Sequence, residues 1–486
     1  MTGQTIKNKK IVLVVVPTME NAYHNLKDFV SIAPPIGLTS IAAVAIREGY
    51  DVTIIDGDAE NLTREQIIEQ IVEINPSIVG ATIMTATMDV TKQFLTLLKT
   101  KTPDTVVIVG GPHVSALPEQ TLIDIPAVDI AVVGEGDYTI IDILNAWERN
   151  EVLQNVAGIA YRKNLEIIRT APRAPIHDLS TLPVPAIYLL KKHLYRSYGW
   201  SKWPSGINGP LGVLFTTRGC IGKCNFCAAQ TVFGRGARNF SMNQIIEQLE
   251  FLIHEWNIRI LYIQDDTFTL NRKRVEELCD YIISKGYNKR LGIQVSSRVN
   301  TVHLPTMEKM REAGVRWVFF GIESGNQEIL NRMDKNITLK NIREAIEITK
   351  EAKLFIGGNY MIGSIGETRE TAMDTINLAC ELDQDYASFA TAIPLPGTEL
   401  YKYCQENNVT LPTWNEFGNI NTPPIPINKN LTTSDLIELR DLAVNRFFKR
   451  PSYIFKLLVR MKTFVVIDDF IKMYFAIRKE KAEKRI

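Results

Sequence analysis

Short apolar, β-branched runs alternate with amphipathic segments along the first 150 residues, and this alternation constrains the fold more than any other feature. The predicted strands are Ile11–Val16, Val52–Ile55, Ile78–Ala81, Val106–Val109 and Ile130–Val133. The predicted helices between them are Leu38–Glu48, Arg64–Ile74, Asp89–Lys99 and Thr139–Glu148. Continuously apolar strands that alternate with helices are typical of an α/β fold with a parallel, doubly wound sheet.

The alternation returns between about residue 206 and residue 400. The predicted strands are Val213–Thr217, Ile260–Gln264, Gly292–Val295, Trp317–Phe320, Ile356–Met361 and Tyr386–Thr391. The predicted helices are Met242–Glu255, Lys273–Ser284, Leu304–Ala313, Leu339–Glu351 and Glu370–Glu381. Six strand–helix units are too few for a complete eightfold barrel and suit a partial (β/α)6 barrel.

Two other segments complete the predicted domain organisation. Residues 151–205 contain a short predicted hairpin and then several prolines, which prevent long regular elements, so we interpret them as a connector. Residues 401–486 form a mainly helical C-terminal region. The predicted units are therefore residues 1–150, 151–205, 206–400 and 401–486.

Three cysteines lie close together directly after the apolar run that opens the second block, with the spacing C-x3-C-x2-C: Cys220, Cys224 and Cys227. Iron–sulfur clusters normally take four cysteine ligands, so three thiolates on one loop would leave one iron of a [4Fe–4S] cluster open. An open coordination position indicates chemistry rather than structure. The alternative is a zinc site, but zinc prefers four ligands and the other cysteines are isolated.

Small and polar residues follow the predicted strands of the first block, in the stretches Pro34-Pro35-Ile36-Gly37-Leu38, Thr82–Thr87 with Thr85 at its centre, Gly110-Gly111-Pro112-His113 and Gly134-Glu135-Gly136. Ligands of parallel sheets bind outside the carboxyl ends of the strands, and glycine permits a close approach of the backbone. No G-x-G-x-x-G motif follows the first strand, which disfavours a nicotinamide dinucleotide as the ligand.

Polar residues also end the strands of the second block, at Asp265-Asp266, Ser296-Ser297-Arg298, Gly321–Gly325, Gly363–Gly366 and Pro394–Gly397. In barrels of parallel strands, active sites lie at the carboxyl ends of the strands. Asp265 and Asp266 are either paired acids for proton transfer or caps that orient the cysteine loop, and we favour the second interpretation.

The cysteine spacing, with Phe226 before the last cysteine, resembles the radical S-adenosylmethionine (SAM) superfamily. That resemblance implies that the open iron chelates SAM and that an electron from the cluster cleaves it to a 5′-deoxyadenosyl radical. It also implies that Glu323 hydrogen-bonds the ribose or amino group, that Ser296 and Arg298 face the ribose and carboxylate, and that backbone near Phe226 and Gly363 holds adenine. The alternatives are a surface salt bridge for Glu323 and a structural role for Arg298.

The stretches that end the first-block strands resemble the cobalamin-binding domain of one radical SAM subfamily. The resemblance implies a cofactor site formed by Pro35, Gly37, Thr85, Gly110, Gly111, His113, Gly134, Glu135 and Gly136. No histidine has the D-x-H-x-x-G context that supplies a lower axial ligand to cobalt. We therefore expect a lower cobalamin face without histidine, His113 being the nearest candidate exception. A first domain that no longer binds its cofactor is the alternative.

These resemblances imply a cobalamin-dependent radical SAM enzyme that methylates an unactivated carbon. A radical cyclisation or oxidation of a tetrapyrrole or lipid-like substrate is the second hypothesis, and a plain radical SAM enzyme with a vestigial first domain is the third. A methylthiotransferase would need cysteines before Cys220, and the sequence has none. A flavodoxin or ferredoxin is the expected electron donor.

Composition and charge limit the partners. The formal net charge of +1 provides no general attraction to nucleic acid. Six cysteines in 486 residues are not a disulfide framework, and an oxygen-sensitive cluster favours a reducing, cytoplasmic compartment. No apolar stretch reaches the ~18 residues of a membrane span. From Lys449 onward, eleven Lys or Arg against four Asp or Glu alternate with apolar residues, so the tail can contact an anionic membrane surface or pack on the protein.

Overall fold

A computed structural model describes residues 7–18, 30–164, 166–197, 209–414, 416–417 and 422–460. The first sheet has seven strands: β1 (Lys10–Val15), β2 (Asp51–Asp56), β3 (Ile78–Thr82), β4 (Val106–Gly110), β5 (Ile130–Val132), β6 (Ile159–Lys163) and β7 (Glu166–Arg169). Their order is β2-β1-β3-β4-β5-β6-β7, and β1 to β5 pair in parallel. The parallel doubly wound sheet predicted from sequence is confirmed.

Both faces of this sheet are buried. Its helices are Ile36–Arg47, Arg64–Ile74, Met88–Lys101, Pro112–Ala116, Pro118–Asp124 and Gly136–Glu148. Within β1, Ile11 and Leu13 belong to one hydrophobic cluster while Val12 and Val14 belong to the cluster on the opposite face. Successive side chains of a strand point to opposite faces, so only a strand covered on both sides is apolar throughout.

The hairpin that we assigned to the connector belongs to the first sheet. Strand β6 pairs antiparallel with β5, and β7 pairs antiparallel with β6. The sequence predicted strands Ala157–Tyr161 and Glu166–Arg169 here but not their pairing, because so short a strand does not indicate which edge of a sheet it joins.

The second block contains β8 (Leu211–Leu214), β9 (Thr217–Arg218), β10 (Arg238–Asn239), β11 (Ile260–Ile263), β12 (Gly292–Ser297), β13 (Val315–Glu323), β14 (Phe355–Ile362) and β15 (Tyr386–Thr391). Strands β9 and β10 form a separate antiparallel ribbon. The other six form one parallel sheet in the order β15-β14-β13-β12-β11-β8. This sequential parallel order is that of the predicted (β/α)6 partial barrel.

The barrel helices are Ala229–Phe233, Met242–His254, Arg272–Ser284, Leu304–Glu312, Gln327–Arg332, Leu339–Glu351 and Arg369–Glu381. Strand β8 ends earlier than predicted, because the N–H of Thr216 donates to the Asp265 carboxylate at 2.7 Å and leaves the strand ladder. Helices Glu399–Glu406, Thr433–Phe448 and Pro451–Arg460 follow the barrel.

The connector binds the two sheets together. Its side chains Leu179 and Ile187 belong to the same buried cluster as Leu13 of the first sheet and Leu249 of the barrel. The N–H of Ala186 donates to a carbonyl of the helix Ile36–Arg47 at 2.9 Å. A continuous core across the connector holds the first sheet against the barrel.

The described residues include no helix long and apolar enough to cross a membrane. The predicted membrane-contacting tail lies mainly in residues 461–486, outside the described residues.

Candidate active site

All three clustered cysteines lie on one loop, residues 219–237, which we call the cysteine loop. The ribbon of β9 and β10 closes its base, with Arg218 directly opposite Arg238. Cys220, Cys224 and Cys227 all line one cavity of about 400 Å³, which we call the cysteine cavity. Its remaining walls are the carboxyl ends of β11 to β14, where the sequence predicted the site.

Two of the three thiols have a nitrogen donor nearby. The N–H of Gly222 lies 3.3 Å from Cys220 Sγ, and Arg298 Nη1 lies 3.8 Å from Cys224 Sγ. Burial raises the pKa of the Cys227 thiol, and the neighbouring charges of Cys224, Asp266 and Cys220 raise it further. Three adjacent thiolates therefore need a strong cationic partner, and this donor set fits an iron–sulfur cluster.

Asp265 holds the start of this loop in place. Its carboxylate accepts the backbone N–H groups of Thr216 at 2.7 Å and Thr217 at 3.0 Å, and it pairs with Arg274 at 3.3 Å. The Asp265 side chain is fully buried. Asp265 and Asp266 both line the cysteine cavity, and burial raises the pKa of Asp266. These contacts support the loop-orienting interpretation of Asp265.

Four residues expected to contact SAM line the cysteine cavity together: Phe226, Ser296, Arg298 and Glu323. Glu323 is buried and forms an ion pair with Lys335, whose Nζ lies 2.8 Å from Glu323 Oε1. Lys335 Nζ also lies 5.7 Å from the centroid of the Phe226 ring. A carboxylate, an ammonium group and an aromatic ring thus lie together in the lining of the cysteine cavity.

Glu323 has a backbone conformation that few residues other than glycine adopt, with φ of +68°. The register between β13 and β14 shifts at this point, between Gly321 and Glu323. A Cβ at Gly321 would lie 2.5 Å from Glu323 Oε1, so the neighbouring glycine leaves room for the carboxylate. Strained residues of this kind concentrate at functional sites.

Gly363 is not among the residues that line the cysteine cavity. Its φ is +91°, and its N–H donates to the carboxylate of buried Glu367. The N–H of Ser364 donates to the same oxygen at 3.3 Å. The sequence predicted a cofactor contact at Gly363 because this glycine follows a strand. In the structure, its backbone N–H binds Glu367 instead.

A second cavity, of about 350 Å³, lies against one face of the first sheet and extends to its carboxyl edge; we call it the sheet cavity. Several predicted cofactor residues line it: Pro35, Gly37, Gly110, Gly111, Gly134, Glu135 and Gly136. A Cβ added at Gly37, Gly110 or Gly134 would meet no protein atom closer than 3.5 Å. These glycines leave open a space that part of a bulky ligand such as cobalamin can enter.

Gly111 is glycine for a different reason. Its φ is +104°, and a Cβ there would lie 2.6 Å from Thr82 Oγ1. The internal packing of the turn therefore requires glycine at this position.

Thr85 and His113 contact each other and do not line the sheet cavity. His113 Nδ1 lies 3.2 Å from Thr85 Oγ1, and the ring meets Trp414 edge-on at 4.9 Å between centroids. Burial lowers the pKa of His113 to about 4, so the ring is neutral at pH 7. The expectation of a lower cobalamin face without histidine stays a prediction, which the position of His113 outside the sheet cavity supports.

The cysteine loop contributes to both cavities. Its Val232 and Phe233 line the sheet cavity, while Ala229 and Gln230, along with the cysteines, line the cysteine cavity. One short helix, Ala229–Phe233, thus separates the two spaces.

Sequence reasoning missed Lys335 and Arg218. Lys335 follows Arg332-Met333-Asp334, a charged stretch that resembles any exposed turn, and nothing in it indicates the ion pair with Glu323. Arg218 lies two residues before Cys220, and this nearness to a predicted cluster ligand could have identified it as a site residue. Its guanidinium binds Glu135 and Asp137 of the first domain, so Glu135 is engaged by protein as well as lining the sheet cavity.

Comparison with known proteins agrees with this arrangement. The B12 binding domain family matches residues 25–144, and the Radical SAM superfamily matches residues 214–379. An uncharacterized methyltransferase of Pyrococcus horikoshii is 34% identical over 474 residues, which cover 97% of this chain and 100% of the relative.

An anaerobic magnesium-protoporphyrin IX monomethyl ester cyclase of Cereibacter sphaeroides is 26% identical over 83% of this chain and 65% of its own length. Among solved structures, the radical SAM methyltransferase TsrM of Kitasatospora setae, with cobalamin and a [4Fe–4S] cluster bound, superposes with a TM-score of 0.66. That match covers 83% of this chain and 76% of TsrM at 16% identity, and so shows a common fold.

Proposed function

Since this chain belongs to the radical SAM enzymes that carry a B12-binding domain, we propose that it transfers a methyl group to an unactivated carbon of an organic substrate. Its cofactors are a [4Fe–4S] cluster, SAM and cobalamin. The observation that carries the proposal is the cysteine loop, which lines both the sheet cavity and the cysteine cavity. A substrate at this boundary would be within reach of both cofactors.

When bound, the cluster and SAM supply a radical that abstracts a hydrogen atom, and cobalamin supplies the methyl group. The protein holds these groups in place. Cys220, Cys224 and Cys227 ligate the cluster, and the Lys335–Glu323 pair with Arg298 binds the amino acid part of SAM. In this arrangement Ser296 faces the ribose.

The sheet cavity has an apolar wall on its barrel side. Phe215, Val232, Phe233 and Phe240 line the sheet cavity from the barrel side. A reactive carbon radical must be shielded from solvent and from other hydrogen donors, and an apolar wall does this without offering a competing group.

A radical cyclisation is the second candidate function, favoured by the similarity to the magnesium-protoporphyrin cyclase of Cereibacter sphaeroides. We propose a tetrapyrrole or lipid-like substrate under either reaction, bound where the cysteine loop separates the two cavities. The electron donor that we propose is a flavodoxin or ferredoxin, in the reducing cytoplasm that an oxygen-sensitive cluster requires.

The test is metal content. Protein purified without oxygen is reconstituted with iron, sulfide and hydroxocobalamin and then desalted, and iron, zinc and cobalt per chain are measured. We expect about four irons and one cobalt per chain. Cys224→Ala should lose the iron and keep the cobalt, while Cys279→Ala, at a buried cysteine of the barrel helix Arg272–Ser284, should keep both.

Each other outcome contradicts part of the proposal. Zinc in place of iron would overturn radical chemistry altogether. Iron without cobalt would remove cobalamin-dependent methyl transfer and leave a radical SAM enzyme with a vestigial first domain. With both metals present, SAM carrying a deuterated methyl group distinguishes methylation from cyclisation by the mass of the product.

A further inference from the structure

The two arginines at the base of the cysteine loop both bind carboxylates of the first domain. Arg218 Nη1 lies 3.0 Å from Glu135 Oε1 and 2.7 Å from Asp137 Oδ2. Arg238 Nη1 lies 2.6 Å from Glu135 Oε2. Both arginines also stand opposite each other in the ribbon β9–β10. The loop with all three cysteines is therefore fastened to the first domain at its two ends.

These contacts are buried, and Arg218 binds Asp137 through both of its terminal nitrogens. The side chains of Glu135 and Asp137 are 2% and 5% exposed, and that of Arg218 is 11% exposed. A second nitrogen of Arg218 donates to Asp137 Oδ1 at 3.1 Å and to Ser40 Oγ at 3.2 Å. Such a two-pronged pair fixes orientation as well as distance, which a lysine cannot do.

The network is balanced in charge. Two guanidinium groups face two carboxylates, and Glu135 also accepts the N–H of Ile176 at 2.9 Å. Burial alone would raise the pKa of Asp137, but the charge and hydrogen bonds of Arg218 lower it, so the carboxylate stays ionised. Any shift of these partners would leave a buried charge unpaired, which is costly.

Both carboxylates, Glu135 and Asp137, line the sheet cavity. Glu135 lies between Gly134 and Gly136, and all three line that cavity. Arg218 is separated from the cluster ligand Cys220 by Gly219 alone. The ion network thus belongs to the wall of one cofactor cavity, and the first ligand of the other cofactor lies two residues along the chain from Arg218.

We propose that Arg218 and Arg238, through Glu135 and Asp137, are positioning residues that fix the distance between the iron–sulfur cluster and cobalamin. The inference rests on the proposed function, since it places cobalamin in the sheet cavity. Hydrogen abstraction and methyl transfer act on the same carbon from two different cofactors. A misplacement of about 1 Å therefore lowers the reaction rate strongly.

The first test measures that distance. Protein loaded with cob(II)alamin and a one-electron-reduced cluster carries two unpaired spins, and pulsed dipolar EPR gives their distance distribution. We expect one narrow peak for the wild type and a broadened or displaced peak for Arg218→Lys and for Asp137→Asn. Arg290→Lys is the matched control, since Arg290 is a half-buried barrel arginine that donates to Ile253 at 2.9 Å. Unchanged distributions in variants with wild-type iron and cobalt would overturn the proposal.

The second test needs no cofactor. In hydrogen-exchange mass spectrometry of the protein without cofactors, Arg218→Lys and Asp137→Asn should speed exchange about tenfold in peptides spanning residues 219–237, as expected for a loop released from a charge-assisted contact. Wild-type exchange in these peptides would overturn the proposal. If the wild type binds no cobalt, the proposed function fails, and the exchange result still decides whether the two domains are fastened here.

Discussion

Lys335 Nζ lies 2.8 Å from Glu323 Oε1, and the side chains of both residues are almost fully buried beside the cysteine cavity. The pair connects the end of β13 with the turn after the helix Gln327–Arg332. Removing one member of a buried pair leaves the other charge without a partner, which is more costly than removing both. Comparing the single and double variants of this pair therefore distinguishes a structural role of the pair from a role in binding SAM.

We expect Lys335→Met to lower the free energy of unfolding by about 3 kcal/mol, because Glu323 would keep a buried charge without its ammonium partner. The double variant Glu323→Gln with Lys335→Met should recover most of this loss. Urea denaturation of the protein without cofactors measures both. Lys340→Met, in an exposed pair with Glu344, is the control and should be close to wild type. A double variant as unstable as the single one would contradict the account.

The same double variant tests SAM binding. With stability restored, we expect its affinity for SAM to fall about tenfold, since one charge-assisted hydrogen bond contributes on that order. Equilibrium dialysis on the iron-loaded protein measures the affinity. Wild-type affinity in the double variant would show that the pair only supports the fold.

Arg298 donates toward Cys224 Sγ from 3.8 Å and to the carbonyl of Lys335 from 2.5 Å. A cation and N–H donor beside a cluster ligand stabilises the reduced, more negative cluster. Arg298→Met should therefore lower the cluster midpoint potential by about 40 mV, which corresponds to one hydrogen bond of about 1 kcal/mol. An EPR-monitored redox titration measures the shift, with Arg290→Met as the control. An unchanged or higher potential would exclude this role.

His113 is neutral and packed between Thr85 and Trp414, away from the sheet cavity. The EPR spectrum of cob(II)alamin bound to the protein should therefore lack the nitrogen triplet of an axial imidazole. His113→Asn should leave this spectrum unchanged. A triplet in the wild type that His113→Asn abolishes would restore His113 as the lower ligand.

The fold was largely predictable from sequence because its elements are locally encoded. Each strand from β1 to β5 was predicted to within one residue at either end. A run of about five apolar residues between turn signals is typical of a buried strand. The cysteine loop was found through ligand spacing alone. Both signals are local in the chain.

Contacts between distant segments were not predictable. The pairing of β6 with β5, the ion pair of Lys335 with Glu323 and the binding of Arg218 to Asp137 each join parts of the chain that carry no mutual pattern. Charged residues are usually exposed, so the sequence does not indicate which of them are buried in ion pairs with distant partners. Glu135 is an example. Its position in the sequence suggested a contact with the cofactor, but in the structure Arg218 and Arg238 bind its carboxylate.

Glu367 provides a pH-dependent prediction. The side chain is fully buried, and its carboxyl group accepts the N–H groups of Gly363 and Ser364. Burial raises the pKa of Glu367 from 4.5 to about 7, and these two hydrogen bonds offset only part of the shift. The folded protein thus keeps a proton that the unfolded chain releases. Its contribution to stability is complete below about pH 4.5 and is lost as the pH rises toward 7.

We expect this group to contribute roughly 2 kcal/mol more to the free energy of unfolding at pH 5 than at pH 8. Glu367→Gln removes the titrating proton but keeps an oxygen that can accept both N–H groups, so its stability should depend less on pH by that amount. Urea midpoints at the two pH values, for protein without cofactors, measure the difference. Glu347→Gln, exposed on the helix Leu339–Glu351, should follow the wild type. If Glu367→Gln also follows the wild type, the carboxyl group is ionised in the fold, and the turn at Gly363 is held by a charge instead of a proton-bearing acid.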